Sequence, residues 1–227
     1  MKIIPNIKVR YDQNEKTAIE CEGALYVEAV TEKAGMDFLE YHGRVTNVSD
    51  RIVRLERASL FETDDLSLCG IGEGPYDVYR SGRHKNDMPG VFTLGCKDDR
   101  MADVSSVMAE SGDGLGDVHG GQVVSDHFTI LKGSCRRCFA AEFVTGRDQL
   151  FQTRILLDEQ GNFLQFVSEV IFQIELLPGE SVTTETIRLA VTNHIEEEIE
   201  QFAEWKAKIY GTRNQRHPAV FCTWYGT

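Results

Sequence analysis

From residue 37 onward, apolar and polar side chains alternate with period two in run after run, the pattern of half-buried β-strands. In "DFLEYHGRV", Leu39, Tyr41 and Val45 share one face, with Gly43 between them. "NVSD" has the side chains for a turn, and "RIVRLERASLFE" follows it, which predicts a hairpin. The longest run is 164–176. Leu164, Phe166, Val170, Phe172, Ile174 and Leu176 fall on one side, with Gln165, Glu169, Gln173 and Glu175 on the other. At ~3.3 Å per residue this run spans about 43 Å, long against the usual ~5–6 residues. Long strands with one buried face point to large stacked antiparallel sheets. A Pro178-Gly179 turn leads into a further strand with Ile187, Leu189 and Val191 on one face. "TAIECE", "GALYVEAVTE", "QVVSDHFTIL", "RCFAAEFVTG" and "QLFQTRILLDEQG" read the same way. Together they predict about eleven to thirteen strands.

Two stretches break the rhythm. Residues 70–121 hold eleven of the twenty glycines and few alternating runs, which predicts long loops, the places where sites on rigid sandwiches tend to lie. "GIGEG" there lacks the strand and helix that a phosphate cradle requires. Residues 193–210 change to helical spacing, with Ile195, Ile199, Phe202, Trp205 and Ile209 in one stripe. Asn193 is the expected N-cap, with Glu196 completing a capping box. Glu196, Glu197, Glu198 and Glu200 precede Lys206 and Lys208, which suits the helix dipole. Trp205 reads as core packing.

Composition adds exclusions. The 227 residues suffice for one large all-β domain, and 41% apolar with 26% charged residues describes a globular chain. No run approaches the ~20 apolar residues of a membrane span. The first residues lack a signal-peptide pattern, so the expected location is cytoplasmic. A net charge of −12 argues against nucleic acid as a partner.

No cofactor is expected. The six cysteines read as reduced thiols. Cys135 and Cys138 have redox or metal spacing, but no second pair accompanies them, and a hairpin turn carrying two thiols is the expected structure. Asp117, His119, Asp126 and His127 show no ligand rhythm, and no metal site is assigned. Doublets such as Asp64-Asp65 and Asp98-Asp99 point to opposite strand faces and make poor catalytic dyads. Arg80, Arg83 and His84 in "YRSGRHKND" are donors suited to sugar hydroxyls, or a basic loop in an acidic surface.

The order of strand, Pro-Gly turn, strand, helix and aromatic strand carries a resemblance. "IELLPGESVTTETIRLAV", "EEEIEQFAEWKAKIYGTR" and "HPAVFCTWYGT" resemble the junction in glycoside hydrolase family 36, the α-galactosidases (melibiases) with their raffinose-synthase relatives. Phe221-Cys222-Thr223-Trp224-Tyr225 is similar to the family's first barrel-strand motif, with Phe where the first Trp stands. "VTNVSDRIVRLERA" and "VVSDHFTIL" add to the likeness, which covers 120–227 well and 37–65 moderately. The Gly-rich middle matches poorly, and "YDVYRSGRHKNDMP" lacks the tryptophans that the family often places in its sugar-facing loop.

The resemblance implies an all-β fold, a large antiparallel supersandwich of the galactose-mutarotase type with one C-terminal helix. It divides the chain into a sandwich over 1–192, helix and linker over 193–217, and the start of a (β/α)8 barrel over 218–227. The family's catalytic carboxylates lie beyond residue 227, so no catalytic residue is assigned here. The implied role is non-catalytic: supporting the chain's own barrel, forming a homo-oligomer, and lending Trp224, Arg80, Arg83 and His84 to an α-galactoside site. A stand-alone carbohydrate-binding sandwich using the 70–121 loops is the alternative. An epimerase-like reading would need His42 or His127 to meet Glu142 or Glu169.

Overall fold

The structure is a computed structural model that describes residues 5–12, 14–17, 23–81, 90–94, 122–146 and 148–211. Fourteen strands and one α-helix occur among them, mostly as antiparallel pairs in two sheets. The first sheet has the order β2 (Asn14–Thr17), β1 (Lys8–Tyr11), β5 (Val53–Thr63), β12 (Phe163–Leu176), β11 (Leu150–Leu157), β8 (Gln122–Ser125). The second contains β3 (Leu25–Ala34), β4 (Phe38–Asn47), β13 (Ser181–Thr183), β14 (Ile187–Thr192), β10 (Cys138–Phe143), β9 (Phe128–Lys132), β6 (Asp77–Arg80) and β7 (Gly90–Thr93). Helix α1 (Ile195–Tyr210) follows β14. The all-β sandwich with a C-terminal helix is the fold the strand rhythm predicts.

The core lies between the sheets, where period-two patterning sends one face of every strand. Leu39, Tyr41 and Val45 are buried there as expected. Phe139 from the larger sheet meets Phe61 and Phe166 from the smaller, with centroids 5.5 and 5.6 Å away. The Tyr41 hydroxyl donates to the Leu60 carbonyl, so the buried phenol has its partner across the interface. A side chain at Gly43 would press on Ile7 and Thr184 (nearest atoms 2.9 and 3.1 Å), which explains the gap in the apolar face.

The segment 47–52 is a corner between sheets and not the turn of a hairpin. β4 pairs with β3, β13 and β14, whereas β5 pairs with β1 and β12. Asn47 builds the corner: its amide nitrogen donates to the carbonyls of Arg51 (2.7 Å) and Leu176 (2.8 Å). Its side-chain oxygen accepts from the Ser49 N–H and hydroxyl. The Pro178-Gly179 turn is a second such corner, and the Gly179 N–H donates to the Asn47 carbonyl. Gly179 sits at φ +79°, where a side chain strains the backbone. Alternation marks strands but does not say which partner each one takes.

Two further expectations change. Leu164 is exposed, because the β11–β12 register shifts there: Phe163 and Gln165 pair with Leu157 and Leu156, Leu164 is left over, and Phe163 packs on the core in its place. Helix α1 starts at Ile195 with His194 as N-cap, and no side chain caps it. The capping box expected from Asn193 and Glu196 is therefore not formed, and the His194 N–H bonds the Thr192 hydroxyl just before the helix (3.0 Å). The region 70–121 also contributes two strands, β6 and β7, to the larger sheet.

Candidate functional site: a buried ion cluster beneath the helix

Strands β4, β14 and β10 lie side by side, and their outward faces are covered by α1. Residues directly opposite on paired strands share a face. Register therefore places Glu40 and Glu142 on either side of Arg188. All three are buried, and so is Glu198 of the helix above them. Arg188 Nε and Nη2 donate to Glu198 Oε1 (3.1 and 3.0 Å), and Nη1 donates to Glu40 Oε1 (3.4 Å). Glu142 Oε2 lies 3.6 Å from Arg188 Nε. The ring centroids of Phe38 and Trp205 each lie 4.3 Å from the guanidinium carbon, within cation–π range. The other Glu40 oxygen accepts from Lys33 (2.9 Å).

Burial makes these charges consequential. Desolvation, with Glu198 beside it, pushes the Glu142 carboxyl up to about 8, and Arg188 only partly offsets this. Neither Glu142 oxygen has a hydrogen-bond partner. Lys206, on the same helix face, is pulled down to about 8 by burial. Its ammonium sits among the rings of Phe151, Phe202 and Tyr210, 5.3–5.9 Å from their centroids, and donates to the Thr145 carbonyl. Two cations, Arg188 and Lys33, thus serve two carboxylates by hydrogen bonds, and Glu142 is a third acid that receives none. This arrangement holds a helix against a sheet. Its polar groups face one another and not a cleft.

Of the residues expected at a sugar site, Arg80 is 5% exposed, too buried to project freely from a surface loop. It points inward beside Asp126, whose charge offsets the burial that lowers the guanidinium pKa. Arg83, His84 and Trp224 lie outside the described residues, as do Asp117 and His119. Trp205 lies on the buried helix face, as its stripe indicated. His42 Nδ1 bonds Glu32 (2.8 Å), and the Thr186 hydroxyl donates to the same Glu32 oxygen (3.0 Å). Glu169 is held by Arg57, Arg154 and Gln152 on the outer face of the smaller sheet. His42 is therefore bonded to Glu32 and Glu169 to its arginines, in place of the epimerase-like pairing of His42 with either glutamate. The His127 ring packs edge-on against Phe151.

The Cys135–Cys138 segment spans the β9–β10 turn. Cys135 Sγ faces the carbonyls of Gly70 and Arg137, and burial raises the pKa of the Cys138 thiol. Among the described residues no group of three or more His, Cys, Asp or Glu can hold a metal. No helix of the described residues is long and apolar enough to cross a membrane.

Arg188, Glu40 and Glu198 were not singled out by sequence. The signal was there for two of them. Arg188 interrupts "TIRLAV" inside a strand, and Glu198 lies three residues after Ile195, within the apolar stripe.

No protein-family model and no curated protein matches the sequence. Solved structures do match. The α-galactosidase of Lactobacillus brevis is 12% identical over 88% of this chain and 25% of its own, with a TM-score of 0.48. A glycoside hydrolase family 36 α-galactosidase from Geobacillus stearothermophilus, solved with stachyose, is 14% identical over 85% and 25%, with a TM-score of 0.48. A Klebsiella pneumoniae protein assigned as an aldose 1-epimerase is 12% identical over 82% and 53%, with a TM-score of 0.38. The chain spans about a quarter of the length of these α-galactosidases. The likeness at these identities is one of fold.

Proposed function

We propose that this chain is a non-catalytic β-sandwich domain of an α-galactosidase-like glycoside hydrolase, serving to carry and position a catalytic barrel. The observation that supports it best is the way α1 is fixed. A helix held only by apolar contacts has some freedom to slide, whereas Arg188 ties Glu198 of α1 to the sheet in one register. The chain leaves the helix at Gly211, and the residues beyond it carry the resemblance to the first barrel strand. The titratable clusters fit this reading. Glu142 and Glu169 are both buried beside arginine, which ties their carboxyls into the packing of the fold.

In this reading the substrate is an α-galactoside bound by the full-length enzyme, and the domain's further roles are oligomer contacts and loop residues near the sugar. The purified 227-residue chain is expected to release no p-nitrophenol from p-nitrophenyl α-galactoside and to show no heat of binding with raffinose. Saturable turnover would overturn the reading. Saturable binding without turnover would support a stand-alone carbohydrate-binding sandwich instead.

A further inference from the structure

The ion cluster under α1 has one acid more than its hydrogen bonds can serve. We propose that helix α1 is held on the sheet by a proton-dependent latch, in which Glu142 carries a proton while Arg188 bonds Glu40 and Glu198. The geometry gives the reason. Arg188 commits Nε and Nη2 to Glu198 and Nη1 to Glu40, and its guanidinium carbon lies 4.3 Å from the ring centroids of both Phe38 and Trp205. Glu142 is 0% exposed, and neither oxygen finds a donor at hydrogen-bond distance. Ionising it would place a third carboxylate against one guanidinium in a site closed to water, which is costly.

The groups that face Glu142 come from each element around it. β4 supplies Glu40, β14 supplies Arg188, and α1 supplies Glu198 and Lys206. β9 presents Phe128 at the same register. Two of these charges oppose ionisation of Glu142 and two favour it, but burial outweighs them all. Lys206 gives no rescue at higher pH, since burial brings its own deprotonation to about 8.

The sign follows from linkage. The docked Glu142 has its pKa raised from 4.5 to about 8, so the docked state binds more protons than the undocked one. The Glu142 contribution is fully present below about pH 4.5, falls through the interval, and is lost once pH passes about 8. Lys206 acts oppositely and only above that point, because its docked pKa is lowered from 10.5. Docking is therefore weakest near pH 8.

Hydrogen exchange on the whole chain tests this. Amides of 199–210 are compared with those of β5 and β12 at pH 6 and pH 8, after correction for intrinsic exchange rates. Helix protection is expected to fall by roughly tenfold or more between the two pH values, while the central strands change little. Glu142→Gln, a neutral isostere of the protonated acid, is expected to hold helix protection constant across the range. Glu198→Gln removes a neighbouring carboxylate and is expected to move the midpoint of the loss to lower pH. Helix protection that is unchanged in the native chain, or a loss that persists in Glu142→Gln, would overturn the latch. Should Glu142→Gln fail to fold, an unmoved midpoint in Glu198→Gln overturns it equally.

Discussion

Arg188 is buried among three acids, and its removal would leave Glu198 in the interior without its side-chain donor and Glu40 with Lys33 alone. Breaking a buried pair from one side typically costs about 3–5 kcal/mol. Arg188→Met is therefore expected to lower the urea midpoint at pH 7 by an amount equivalent to that loss, with little change in slope. Lysine at the same position would keep the charge but lose the forked donors that reach two strands and a helix, so most of the loss should remain. Residue 188 shows how much a sequence can disclose. Its alternation predicts that the side chain lies on the face opposite Ile187 and Leu189. That this outward face is itself buried depends on α1 covering it, which is tertiary and has no local signature.

At the scale of elements, α1 was legible through its apolar stripe and its charge gradient, and its bounds shift by only two residues. The cap was misread, because Asn193 and Glu196 satisfy the capping rule while the helix begins one residue later, with His194 at the N-cap and no side chain capping it. The helix is held by packing more than by its ends. Phe202 is its most buried apolar residue and meets Phe128 at 5.4 Å between centroids. Phe202→Ala is expected to cost about 3–5 kcal/mol, whereas Ile209→Ala, at a position 47% exposed, should stay within about 0.5 kcal/mol. Equilibrium urea unfolding of both variants checks the contrast. Equal effects would mean that the stripe is not the seam between helix and sheet.

For the whole molecule, the two sheets are coupled at corners that the sequence presented as turns. The polar run after Val45 and the Pro-Gly at 178–179 were both legible as reversals, but each carries the chain from one sheet to the other. Asn47 joins the two corners by donating to Leu176. Asn47→Ala removes both donors of a buried amide and leaves two carbonyls short of a partner, so a loss of about 2–3 kcal/mol is expected. Thermal unfolding should remain a single transition. A biphasic melt would show that the sheets are less coupled than the corners indicate.

The long β12, the Pro-Gly turn, the following strands and the helix came through the sequence because each rests on local periodicity. Arg83 and His84 lie in a stretch outside the described residues, and the glycines around it interrupt any period from which a position could be read. The account's central claim is that the sandwich supports a catalytic unit and does no chemistry itself. The most direct test is the rate of p-nitrophenyl α-galactoside hydrolysis per mole, measured for the 227-residue chain and for the product of its gene's complete reading frame. The account predicts turnover by the complete product and none by the 227-residue chain. Equal turnover by the two would contradict it, as would a complete product with no activity.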